Sequence, residues 1–353
     1  MAAAILAAIL AFPCYGISAE KAVLLDGNTG RILYEKNPDS PALIASTTKI
    51  MTALIICEQC NVLDRVRIPK EAVGVEGSSI YLREGEVLTV QELLYGMMLH
   101  SGNDAATALA IYCGGTVEAF SQLMNDKAHR LGLINTHFEN PHGLDSPNHY
   151  STARDLAILS AYAMNNPIFR QTVSTKTIKI GERALRNHNK LLWHFDGCNG
   201  VKTGYTKKAG RILVSAANRD GRQLVAVTIN APDDWEDHRN LLIRGFHQFE
   251  QHKIIEKDSC VAYIPVACGV SSYVKLLSRE DAIISLAKHE EAVVILQEPG
   301  FVYAPVTAGD DAGYAYVMIG NYMAAKVPLY YGETIFLTQE KRTSIWERLN
   351  RSK

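Results

Sequence analysis

The chain has 353 residues, 47% hydrophobic and 21% charged, which is the profile of a globular protein long enough for two domains with substantial cores. This composition excludes long disorder, collagen-like repeats and coiled coil. The 36 Lys and Arg against 37 Asp and Glu leave a formal charge of -1, so there is no basic excess to neutralise a nucleic-acid backbone and nucleic acid is not an expected partner.

Residues 2–12, AAAILAAILAF, are apolar without a break. The run is short for a bilayer span but fits the core of a signal peptide, with Ile17-Ser18-Ala19 as the cleavage site. No Lys or Arg precedes it, and the competing reading is a buried hydrophobic segment. The expectation is a leader over residues 1–19 and an exported protein. Cys14 follows Phe12-Pro13, a poor fit to a lipoprotein anchor.

Next, AVLLDGNTGRILYEKN reads as a hairpin turning at Asp26 to Gly30. Ser46 opens STTKIMTALIICEQ, with Ile50, Leu54, Ile55 and Cys57 at helical spacing. Thr89 with Glu92 forms a capping-box pattern before a helix ending near His100. SGNDAATALAIYCGG restarts a helix that stops at Gly114-Gly115, Thr116 caps another to Leu131, and Thr152 with Asp155 caps a further one that ends before Pro167. From Gly200 the pattern changes to strands, VKTGYT, GRILVSAANR and RQLVAVTIN, closed by the helix WEDHRNLLIRGFHQFE. A hairpin first, helices in the middle and strands last place both ends of this domain in one antiparallel sheet with helices packed on it, an α+β arrangement.

Beyond a boundary at 252–256, short alternating stretches broken by Gly, Pro and Asp-rich turns read as a small all-β module over 254–340. The tail SIWERLNRSK reads either as the start of an interfacial helix, too short to hold a membrane firmly, or as a frayed terminus.

Seven cysteines leave at least one unpaired in a monomer. Cys57 and Cys60 share a helix face, but no second ligand pair completes a zinc site, and they read as two small buried residues. Cys260 and Cys268 flank a strand and turn and could pair in an oxidising compartment.

Three triplets carry chemistry. In Ser46-Thr47-Thr48-Lys49, positions i and i+3 share a helix face, so the Lys49 amine can reach the Ser46 hydroxyl and take its proton. Burial and a second cation would favour the neutral amine, and the helix N-terminus would help an oxyanion form. Ser101-Gly102-Asn103 lies in a link between helices, where a hydroxyl can relay a proton and an amide can hold Lys49 or a substrate carbonyl. Lys202-Thr203-Gly204 lies on a strand whose glycine would let a substrate backbone approach. Alone each triplet is weak: Ser-x-x-Lys recurs at Ser18, Ser272 and Ser285, and Ser146-Pro147-Asn148 matches the second. Only one choice places them, in order, on a helix start, an inter-helix link and a late strand.

At these residues the sequence resembles the D-alanyl-D-alanine carboxypeptidases, the low-molecular-mass penicillin-binding proteins of serine peptidase family S11. The resemblance extends through ASTTKIMTAL, SGNDAA, NPHGLD, HYSTARDLA, GVKTGYTKKAG and, in the last module, YAPVTAGDDAGYAYV and KVPLYY, covering about residues 20–340. It implies a penicillin-binding-protein/β-lactamase-like transpeptidase fold over 20–252 followed by the all-β domain. It implies Ser46 as nucleophile, Lys49 as its base, and Ser101 and Asn103 completing the proton network. Lys202 and Thr203 would hold the terminal carboxylate beside Gly204, with the N–H groups of Ser46 and Tyr205 as oxyanion hole. The implied reaction removes terminal D-alanine from peptidoglycan stem pentapeptides through an acyl-enzyme, without metal or other cofactor and with β-lactams as inhibitors. Family members often carry His where Tyr205 stands and Cys where Ile212 stands.

Rival readings are weaker. A DD-endopeptidase would use the same residues on cross-links. A class A β-lactamase needs Glu-x-x-Leu-Asn; Glu182-Arg183-Ala184-Leu185 is followed by Arg186 and lies too close to Lys202. A non-catalytic β-lactam sensor has no need of Lys49.

Overall fold

A computed structural model of the chain describes residues 16–338; the leader core at 2–12 and the tail at 341–353 lie outside the described residues. The chain divides into two units between His247 and Gln248. This is a few residues ahead of the 252–256 read from sequence, because Phe249–Ile255 is a strand that pairs with Ala282–Ala287 of the second unit.

The first unit begins with the hairpin β1 (Lys21–Asp26) and β2 (Ile32–Lys36). The buried Asp26 carboxylate closes its turn by accepting from the Asn28 and Thr29 N–H groups, and Gly30 takes the positive φ of 73° the turn requires. The five-stranded antiparallel sheet runs β2, β1, Arg222–Ile229, Gly210–Arg219 and Cys198–Thr206, so the first and last parts of the unit share it, as expected. Its central strands are buried on both faces, which is why they read as nearly continuous apolar runs.

The longer helices α1 (Lys49–Gln59), α2 (Val90–Leu99), α3 (Asn103–Gly114), α4 (Val117–Arg130) and α5 (Ala153–Met164) lie between the hairpin and the late strands, followed by the shorter helices Pro167–Ser174 and Leu191–His194. Thr89 accepts from the Glu92 N–H while the Glu92 carboxylate accepts from the Thr89 N–H, a complete capping box, and the Thr116 and Thr152 hydroxyls accept from the Ala119 and Asp155 N–H groups at the starts of α4 and α5. α1 is apolar around most of its circumference and accordingly central: Ile50 through Ile56 are all buried. α5 packs on β1 and Arg222–Ile229. The helix Asp234–Gln248 also packs on the sheet: a Cβ on Gly245 would stand 2.6 Å from Leu224 Cδ1 and 2.9 Å from Leu24 Cδ2.

The second unit is all-β, with its own core around Val274, Leu276, Ala315, Val317, Val327 and Leu329. It contains the Phe249–Ile255/Ala282–Ala287 pair and a six-stranded sheet. Cys260 and Cys268 are both free. They bracket the strand Cys260–Ala267, and at ~3.3 Å per residue their separation is far beyond disulfide reach, so the pairing read from their spacing does not occur.

Candidate active site

Ser46 does not sit on an α-helix proper. It occupies the 3-10 turn Ala45–Thr48 that runs directly into α1, with Ala45 at φ 44° opening the turn. The i and i+3 relationship nonetheless brings Lys49 Nζ to 3.0 Å from Ser46 Oγ. Lys49 is fully buried. Its amine also donates to Asn103 Oδ1 at 2.6 Å and to the His142 carbonyl at 2.8 Å. A neutral amine has two N–H bonds and one lone pair; the two fixed acceptors take the N–H bonds and leave the lone pair for the Ser46 hydroxyl proton. Burial holds the Lys49 amine well below the usual lysine range; the Lys202 charge lowers it further and Asp104 opposes.

The second triplet bridges α2 and α3. Ser101, buried and at φ 64°, turns the chain, and Asn103 opens α3. The Asn103 amide faces Lys49 with its oxygen and donates through Nδ2 to the Glu76 carbonyl, which fixes its orientation. The neighbouring Asp104 carboxylate accepts from Ser79 Oγ and from the Ile80 and Leu82 N–H groups, anchoring that segment to the start of α3.

Lys202, Thr203 and Gly204 lie on Cys198–Thr206, an edge strand of the sheet. A Cβ on Gly204 would stand 3.3 Å from the backbone nitrogens of Ser46 and Thr47, so this strand closes on the Ser46 turn. Thr203, Gly204 and the exposed Tyr205 line an open cavity of about 720 Å³ together with Ser46 and Ser101. Lys202 does not line it. Its amine is buried, donates to the Thr203 carbonyl at 2.9 Å, and is pushed down to about 7 by burial. Its influence on the cavity is electrostatic, felt by Lys49 and by His188.

Sequence reasoning missed the rest of the lining, which includes His188, Lys190, Arg211, Asp234 and Trp235. Arg211 pairs with Asp234 at 2.5 Å, and Lys190 Nζ lies 5.7 Å from the Trp235 ring centre. It also missed the support beneath Lys49. The segment around His142 docks on α1, where Thr52 Oγ1 donates to the Pro141 carbonyl. Gly143, at φ 88°, lies so close that a Cβ would fall 1.8 Å from Ala45 O. The Glu139 N–H donates to His149 Nδ1, leaving Nε2–H to donate to Thr48 Oγ1 at 2.7 Å. NPHGLD was visible as a family block, but nothing in it announces that a backbone carbonyl meets the lysine.

The rival triplets lie elsewhere. Ser146 bonds Glu139 and lies outside the cavity lining, and Glu182 is an exposed turn residue of a small hairpin. No cluster that could hold a metal ion occurs among the described residues.

A helix-flanked antiparallel sheet with a serine and a buried lysine between its edge strand and its helices is the arrangement of a serine peptidase. The chain belongs to the D-alanyl-D-alanine carboxypeptidase family: the model of that family matches residues 9–233, and that of the penicillin-binding protein 5 C-terminal domain matches 249–336. It is 33% identical over 345 residues to D-alanyl-D-alanine carboxypeptidase DacF of Bacillus subtilis, covering 92% of this chain and 89% of the relative. It is 32% identical over 339 residues to DacC of Escherichia coli, covering 90% and 84%. Among solved structures it resembles penicillin binding protein 5 from Haemophilus influenzae, with a TM-score of 0.81, 31% identity, and coverage of 91% of this chain and 98% of that one.

Proposed function

We propose that this chain hydrolyses the terminal D-Ala-D-Ala bond of peptidoglycan stem pentapeptides, with Ser46 as nucleophile and Lys49 as general base. The observation that carries this reading is the Lys49 amine, buried and held by three partners, one of them the Ser46 hydroxyl. Ser46 attacks the carbonyl of the penultimate D-alanine while its proton passes to Lys49. The Ser46 and Tyr205 N–H groups receive the oxyanion. Ser101 passes a proton to the leaving D-alanine, whose carboxylate is held by Thr203, with Lys202 acting through the strand behind it. Water then releases the tetrapeptide by the reverse proton path. A β-lactam enters the same first step and stays as a longer-lived ester. Export, with action on the outer face of the membrane or in the wall, belongs to the same reading, and so does a weak peripheral membrane contact through the tail.

The test is D-alanine release from a stem pentapeptide, together with fluorescent-penicillin labelling, for wild type and Ser46→Ala. Both activities vanish together in the variant if the reading is right. Penicillin labelling of wild type without D-alanine release overturns the carboxypeptidase assignment and leaves an endopeptidase or a sensor.

A further inference from the structure

The two helices that begin at the active site are also brought together at their other ends, by sulfur. Lys49 opens α1 and Asn103 opens α3, and their side chains are bonded. At the far end Cys60 caps α1, its N–H on the Ile56 carbonyl, and Cys113 occupies the last turn of α3. The Cys60 and Cys113 thiols are close enough to influence each other's ionisation, and Cys113 Sγ lies 3.7 Å from Oε1 of Gln59, the neighbour of Cys60 in the chain. Cys60 is therefore not the small buried residue its spacing from Cys57 suggested. Both thiols are free and partly open to solvent. Eleven residues of helix at 1.5 Å each separate this contact from the Lys49 amine, a distance of about 16 Å.

We propose that Cys60 and Cys113 form a reversible disulfide that fastens the C-terminal ends of α1 and α3 when the protein meets a small-molecule disulfide. The Cys113 thiolate attacks one sulfur of the reagent, forming a mixed disulfide and releasing one small thiolate. Cys60 gives up its proton and attacks the Cys113 sulfur, expelling the second thiolate. The two protein thiols lose two electrons and two protons, and the reagent leaves as two thiols. Cys113 is the first to attack because the interaction with Cys60 lowers its thiol from the ordinary value, while Cys60 is raised. The competitors are poorly placed. Cys57 is buried and pushed up to about 12, chiefly by burial, and Cys198 is pushed up to about 11 for the same reason. The family acts outside the cytoplasm, where such bonds persist.

The test uses the full chain, reduced and then exposed to oxidised glutathione, with free thiols alkylated before proteolysis and mass spectrometry. The expected product is a linked peptide pair containing Cys60 and Cys113, lighter by two hydrogens and restored by a reducing thiol. It comes with a rise in Tm of ~5 °C over the reduced protein. Cys60→Ser and Cys113→Ser each remove the linked pair and the shift, whereas Cys57→Ser leaves both. Alkylation of both Cys60 and Cys113 in the oxidised wild-type protein overturns the proposal, and so does a linkage of either one to Cys57. Because the decisive reading is made on wild type, misfolding of a variant does not obscure it.

Discussion

Asn103 Oδ1 accepts a hydrogen bond from Lys49 Nζ at 2.6 Å, which joins the first residue of α3 to the first residue of α1. The amide is held from its other side by the Glu76 carbonyl, so the oxygen and not the NH₂ group faces the amine. An acceptor in this place supports a neutral amine whose lone pair faces Ser46.

Asn103→Ala removes that acceptor. Acylation by a fluorescent penicillin is expected to slow by ~100-fold with little change in Tm. An unchanged acylation rate would show that the amide has no part in orienting the base.

Lys202→Met keeps a long side chain and removes a charge that holds the Lys49 amine down. Without it the Lys49 pKa rises, the neutral base is populated only at higher pH, and the acid limb of the acylation profile moves upward. The check is the pH dependence of acylation in wild type and variant; a limb that stays put or moves down contradicts the coupling.

Gly143→Ala places a methyl group on the Ala45 carbonyl in a backbone conformation that L residues resist. A loss of ~3 kcal/mol or more in urea unfolding is expected, together with loss of penicillin labelling. Gly181→Ala is the control, since its φ is also positive but nothing lies within 4 Å; it is expected to cost only ~1 kcal/mol. Equal losses at the two sites would mean that the close approach to Ala45 is unimportant.

Burial pushes His142 and His238 down to about 3, and His149 and His188 down to about 4. Unfolded histidine takes up its proton near 6.5. Between that value and the folded values the unfolded chain binds more protons, so stability is lost as pH falls from about 6.5 toward 3–4. Each of the more deeply buried rings His142, His149 and His238 contributes a loss of about 1.4 kcal/mol per pH unit within its window, and the more exposed His188 contributes less. Urea midpoints measured from pH 7 to pH 4 should fall steadily; a flat series would show that these rings are protonated in the folded protein.

The parts of this molecule that local chemistry dictates were legible in the residues. Thr89 with Glu92, Thr116 and Thr152 announced three helix starts, and the alternation after Gly200 announced the late strands. Ser46, Lys49 and Asn103 stand out in the sequence by side-chain identity and spacing, and their side chains meet in the fold. The run from Ser46 reads as the start of an α-helix, and the 3-10 turn that the structure has there escapes the sequence because a left-handed alanine leaves no mark in composition. The His142 carbonyl was invisible for a related reason: every residue has a carbonyl, and only the tertiary path of the segment brings this one to the lysine. Arg211 reaches the cavity wall beside Tyr205 across a hairpin, and Asp234 and Trp235 reach it from the start of the helix Asp234–Gln248, placements set by the tertiary path and not by any local pattern.

The strand Cys198–Thr206 ends the sheet, and Gly204 presses it against the Ser46 turn. An uncovered sheet border is open to an identical strand from another copy of the protein. Lys207 and Lys208, both exposed, follow immediately at the turn. Two copies pairing there in parallel and in register would bring four like charges together, so the lysines oppose that mode of self-association.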